Sequence, residues 1–105
     1  MTDPFYLSKK WKRLRKAIMH RDGYVCQYFK RYGKTKPATT VHHIFPREDF
    51  PQYELAAWNL ISLSGEAHRM MHNPDGSLSE IGLELLRRTA RKRGIVLDDS
   101  AAEHR

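Results

Sequence analysis

Two pairs of histidines bracket an asparagine in this chain: His42 and His43 are neighbours, Asn59 follows, and His68 and His72 stand four residues apart. Four of the six histidines therefore fall in one stretch of a 105-residue chain. Imidazole ligates divalent transition metals and accepts protons near neutral pH. Geometry limits how the two pairs can share such work. Residues four apart on a helix lie on one face, so His68 and His72 can chelate one ion. Neighbours on a strand point to opposite sides, so His42 and His43 cannot both face that ion. One of the two is left free to abstract a proton. A fold that uses both pairs must seat a strand against a helix across a single centre.

The rest of the chain is small and basic. With 40% hydrophobic and 10% aromatic residues it can bury one modest core, hence a single domain. Chains of this size commonly add a metal or disulfides for stability. A single cysteine, Cys26, excludes an internal disulfide and fits a reducing compartment. Nineteen lysines and arginines against twelve acids leave a net charge of +7, which favours a polyanion through counterion release. An anionic membrane surface would also suit that charge. However, no apolar run approaches the ~20 residues a span requires, and the N-terminus has no signal-peptide core. The expectation is a soluble, cytoplasmic protein with no membrane partner.

Local patterning assigns elements to the two pairs. Residues 1–7 read as an extended lead-in, with Pro4 discouraging a helix. Ser8 suits the N-cap of a helix in which Trp11, Leu14 and Ile18 form an apolar stripe, ended by Asp22-Gly23. The stretch from Tyr24 to Tyr32 reads as a turn or β-hairpin, and Gly33 to Pro37 as a loop. Thr39 to Phe45 is β-branched and aromatic and reads as a strand stopped by Pro46; Asn59 to Leu63 reads as a second. A helix is expected from about Gly65 to Met71, starting near Ser64, then a turn at Asn73-Pro74-Asp75-Gly76. Ser77 or Ser79 opens a final helix ended by Gly94. The fold class is α+β: one small domain over residues 8–96, a two-stranded antiparallel hairpin plus a helix, flanked by N- and C-terminal helices. Residues 97–105 are expected to be a disordered tail.

Val41-His42-His43-Ile44-Phe45-Pro46, then Trp58-Asn59-Leu60-Ile61-Ser62-Leu63, then Ala67-His68 together resemble the HNH nuclease motif. Trp11-Lys12-Arg13-Leu14-Arg15 and Arg21-Asp22-Gly23-Tyr24-Val25-Cys26 resemble the segment preceding it in small phage and bacterial members. The likeness covers residues 8 to 73 and rests on several elements recurring in order. It implies a ββα-metal core holding one divalent cation. Position by position, it implies His43 as the general base that activates water, Asn59 as the brace that orients that base through hydrogen bonds, and His68 as a metal ligand. His42 stands where many members carry Asp and is an implied ligand. His72 matches a further histidine of colicin-type DNases, in which a three-histidine metal site is typical. Candidate ions are Mn2+, Mg2+, Ni2+, Co2+ and Zn2+, and an all-imidazole set favours the transition metals. The implied activity is hydrolysis of DNA phosphodiester bonds, nicking one strand per event as a monomer. A dimer would be one route to a double-strand break. Double-stranded DNA is the implied substrate, and phage packaging proteins are candidate partners because some members of this size work beside them.

One departure stands out. Many small members hold a structural zinc in two Cys-x-x-Cys knuckles, and the matching positions here read Cys26, Phe29, Ser64 and Ala67, so a structural four-cysteine zinc is not expected. Lys9, Lys10, Lys12, Arg13, Arg47 and Arg69 are the candidate nucleic-acid contacts. The Lys/Arg run from Lys9 to Lys16 reads equally as a solvated helix face, as does the cluster Arg87, Arg88, Arg91, Lys92 and Arg93. Singly, His68 and His72 would be a solvated pair and Asn59 a turn residue; their conjunction carries the site. Two other readings compete: a nucleic-acid-binding module without turnover, and a closed structural metal held by all four histidines.

Overall fold

The computed structural model describes residues 3–97. Asp3 opens a one-turn helix, α1 (Pro4–Leu7), its carboxylate accepting from the Phe5 amide at 2.9 Å. The extended lead-in expected here is therefore corrected at residues 4–7. Proline at the first helical position gives up an amide that the first turn leaves unbonded, and its fixed φ suits a helix start. Ser8 caps the next helix, α2 (Lys9–Arg21), accepting from the Trp11 amide at 3.2 Å. The turn or hairpin expected at Tyr24–Tyr32 is also corrected: Gln27–Arg31 form a short helix, α3. Five residues are too few to show a helical period, and what fixes them is the burial of Phe29.

Two strands, β1 (Thr40–His43) and β2 (Leu60–Leu63), pair antiparallel with His42 opposite Ile61 and His43 opposite Leu60. Both are shorter than the sequence patterning suggests. Asn59 lies in a 3-10 turn (Ala57–Asn59) just before β2. In this register the amides and carbonyls of Leu60 and Ser62 point away from β1. Arg21 and Asp22 meet two of these groups: Arg21 donates to the Leu60 carbonyl at 2.7 Å, and Asp22 accepts from the Ser62 amide at 3.0 Å. The pair is itself bridged at 2.8 Å, so the end of α2 stands in for a third strand along this edge.

Ser64 caps α4 (Gly65–Met70) and Ser79 caps α5 (Glu80–Arg93), which ends at Gly94 in the left-handed conformation. Between them the turn at Asn73–Gly76 brings the chain back so that His72 bridges Leu78. One apolar cluster packs α3, α4 and α5 around Phe45, Leu63, Met71 and Leu86; another packs α2 against Val41 and Leu60. The hairpin lies between the two. The knuckle positions Cys26, Phe29, Ser64 and Ala67 are all buried in this fold. Burial pushes the Cys26 thiol up, but the Phe29 and Ser64 amides and the Ser64 hydroxyl hold it below its ordinary value on balance. No helix among the described residues is long and apolar enough to cross a membrane. The tail expected from residue 97 lies outside the described residues from residue 98 on.

Burial pushes the Asp22 carboxyl up, yet Arg21 and the Ser62 amide and hydroxyl leave it below its ordinary value. A depressed folded pKa gives stability that is present above the unfolded value of about 3.9 and lost as pH falls through the folded one. Urea unfolding of Asp22→Ala at pH 7 is expected to show a loss of about 2 kcal/mol, since the Ser62 amide loses its acceptor and Arg21 its ion pair. That deficit should shrink towards pH 3.

Candidate metal centre

The pleat of β1 sends Thr40 and His42 to the α4 side of the hairpin, and Val41 and His43 to the α2 side. On the α4 side three imidazoles converge. The His42 ring centroid lies 5.4 Å from that of His68 and 5.3 Å from that of His72, and the latter two are 5.1 Å apart. One nitrogen from each falls within 4.8 Å of the others. His42 is 3% exposed, and its Nε2 is buried with no hydrogen-bond partner. An orphaned buried nitrogen costs free energy unless something meets it, and a divalent cation would.

His72 reaches this trio by another route than its sequence position suggests. The helix expected to about Met71 ends at Met70, so His72 lies beyond α4 and the one-turn spacing from His68 is not what positions it. Pro74 disfavours the helical conformation at Asn73 and turns the chain away. The turn restores the position: Asn73 donates to the Ser77 hydroxyl at 3.0 Å and to the Leu78 carbonyl at 3.2 Å. His72 Nδ1 lies 3.3 Å from the Gly76 carbonyl, which can only accept, so Nδ1 carries the proton and Nε2 is the free donor atom. Gly82 seats α5 against this segment, and a Cβ there would run into the Met71 carbonyl oxygen.

Burial pushes the His42 imidazole well below its ordinary pKa, and repulsion from His68 and His72 adds to this; His68 is lowered by burial and by His72. Imidazoles that resist protonation keep their lone pairs for a ligand. The trio contains no carboxylate or thiolate, which suits a transition metal better than Mg2+.

On the other face His43 stacks on Trp11, centroids 5.2 Å apart and planes 18° apart. Its Nε2 lies 3.0 Å from the Glu54 carbonyl. That acceptor fixes the tautomer with the proton on Nε2, leaving Nδ1 basic. Burial lowers its pKa, with Arg47 acting the same way and the Glu54 carbonyl opposing. The structure does not support the four-histidine closed site, since His43 lies across the strand from the trio.

Asn59 is fully buried and makes no direct hydrogen bond to His43. It accepts from the Phe45 amide at 2.7 Å and donates to the Phe45 and Tyr53 carbonyls at 3.1 and 3.2 Å. The side chain thus clamps both ends of the loop whose next residue, Glu54, holds the imidazole. It is a positioning residue acting through backbone.

A cavity of about 520 Å³ opens between these faces, lined by all four histidines together with Asp3 and Arg47. Of the expected nucleic-acid contacts only Arg47 lines it; Lys9, Lys10, Lys12, Arg13 and Arg69 lie elsewhere on the surface. Sequence reasoning missed Glu54, whose contribution is a carbonyl and so carries no residue-type signal. It also gave Trp11 a core role alone.

No protein-family model and no curated protein matches the sequence. In three dimensions the chain is similar to the HNH endonuclease of the deep-sea thermophilic bacteriophage GVE2, solved with a manganese ion. The two share a TM-score of 0.62 and 28% identity over 87% of this chain and 80% of that one. The resemblance to HNH endonucleases and the small α+β architecture both hold at the level of structure.

Saturating Mn2+, Ni2+ or Zn2+ at about 100 times Kd is expected to stabilise the fold by about 2.7 kcal/mol, reversed by chelator. Calorimetry would read this as a rise in Tm of roughly 10 °C, absent in His42→Ala. Gly82→Ala is expected to cost about 1–3 kcal/mol by overpacking and to weaken the metal-induced rise by displacing His72.

Proposed function

We propose that this chain is a metal-dependent endonuclease that hydrolyses DNA phosphodiester bonds, with His43 as the general base. The observation that carries the reading is the division across β1: three converging imidazoles on one face, one of them with an orphaned buried nitrogen, and a tautomer-fixed imidazole on the other. The similar phage enzyme is an endonuclease and holds manganese, which supports both the reaction and the need for an ion.

His42, His68 and His72 would hold the ion, three ligands leaving positions open as catalytic sites require. A divalent cation there supplies positive charge against the charge that builds on the phosphate oxygens during hydrolysis. His43 Nδ1 removes a proton from water as the water oxygen bonds to phosphorus and the bond to the 3′ oxygen breaks. The Glu54 carbonyl stabilises the imidazolium that results, and the Trp11 ring keeps it from turning. Arg47 is the cation placed to contact the substrate's phosphate. One centre cuts one strand, so a monomer nicks, and the reading places the protein in the cytoplasm with DNA. A binding module without turnover would be expected to have lost His43 or a member of the trio, and none is lost.

The test is conversion of supercoiled plasmid to open circle by chelator-stripped protein with each divalent metal in turn. His43→Ala is expected to lose at least about 100-fold in rate while keeping the metal-induced rise in Tm. His68→Ala should lose both. Rapid nicking by His43→Ala would refute its role as base.

A further inference from the structure

Arg47 is the one arginine or lysine among the described residues lining the cavity, and it is already occupied. Its Nε donates to Glu54 Oε2 at 3.0 Å. The opposite edge of the guanidinium faces Asp3: one terminal nitrogen donates at 2.8 Å and the other lies 3.5 Å from the second carboxylate oxygen. The two rings of α1 lie under the same group, Phe5 at 4.2 Å and Tyr6 at 5.5 Å. Those rings also reach His43, at 5.9 and 6.4 Å. So α1 lies across the mouth of the site, tied down by a carboxylate. Glu48, exposed, adds a further acid to the lining. A polyanion approaching this rim meets Asp3 and Glu48, with Arg47 already paired.

The two partners of Arg47 are not equivalent. Glu54 binds Nε and belongs to the loop that fixes His43, so that contact builds the site. Asp3 takes the terminal edge, the fork that binds a carboxylate or a phosphate in the same two-point manner. We propose that the Asp3 carboxylate is an internal stand-in for a substrate phosphate: nucleic-acid backbone exchanges with Asp3 on the terminal edge of Arg47, and α1 is released as the site fills. The proposal rests on the nuclease reading and names how that site is guarded. It makes Arg47 the phosphate anchor and Asp3 the residue that sets how strongly a backbone must bind to gain the cavity.

The variant that isolates the exchange is Asp3→Asn. Asparagine caps a helix as well as aspartate does, so α1 keeps its start while the charge is lost. Binding of a short fluorescent DNA duplex is measured by anisotropy at low salt with chelator present, so that nothing is cut. Glu48→Gln removes the same charge from the same rim without touching Arg47. Asp3→Asn is expected to tighten binding about two- to fivefold, the range of an exposed ion pair, with Glu48→Gln giving well under half that gain. In an Arg47→Gln background, Asp3→Asn should add no more than Glu48→Gln does. Equal gains from Asp3→Asn and Glu48→Gln would overturn the proposal, as would a gain that persists in full without Arg47. Should the wild type fail to bind, appearance of binding in Asp3→Asn supports the exchange and its continued absence refutes it. A protein that shows the expected pattern but never nicks plasmid with any metal leaves this proposal standing and sinks the nuclease reading.

Discussion

The pleat of a four-residue strand organises this molecule. Because successive side chains on β1 leave on opposite faces, His42 and His43 are separated by the thickness of a backbone although they are neighbours in sequence. One face gathers three imidazoles and the other holds a single imidazole against the Glu54 carbonyl. Everything else in the fold serves to keep that strand in register. A slip of one residue in the β1–β2 ladder would move each histidine to the wrong side. The Arg21–Asp22 cap on the free edge of β2, the Asn59 clamp and the two apolar clusters all oppose such a slip.

Small domains with few cysteines have limited means of holding such a register. Here the positions that resemble zinc knuckles are filled by Cys26, Phe29, Ser64 and Ala67, all buried. Ser64 is useful twice over, as part of this plug and as the N-cap of α4, accepting from the Ala67 amide at 3.1 Å. Cys26, Phe29 and Ala67 join the apolar cluster here, and Ser64 starts a helix beside them.

Much of the architecture is legible in the sequence because its determinants are local. Ser8, Ser64 and Ser79 cap helices within three residues, and Gly94 ends α5, so residue type and spacing suffice. The alternation along β1 likewise sets His42 and His43 on opposite faces. The remainder depends on contacts that no local pattern encodes. His72 leaves its helix because of Pro74 and returns to the trio only through the hydrogen bonds of Asn73 with Ser77 and Leu78. His43 is held by a backbone carbonyl, and any residue in place of Glu54 offers one. Of the lysines and arginines among the described residues, Arg47 alone lines the cavity, carried there by a loop whose ends Asn59 clamps.

Three histidines, and not four, are expected to form the metal shell. X-ray absorption spectroscopy of the Ni2+- or Mn2+-loaded protein reads the number of imidazole ligands directly. Three are expected in the wild type and an unchanged spectrum in His43→Ala, with a loss of one in His72→Ala. A shell of four imidazoles that falls to three in His43→Ala would contradict it.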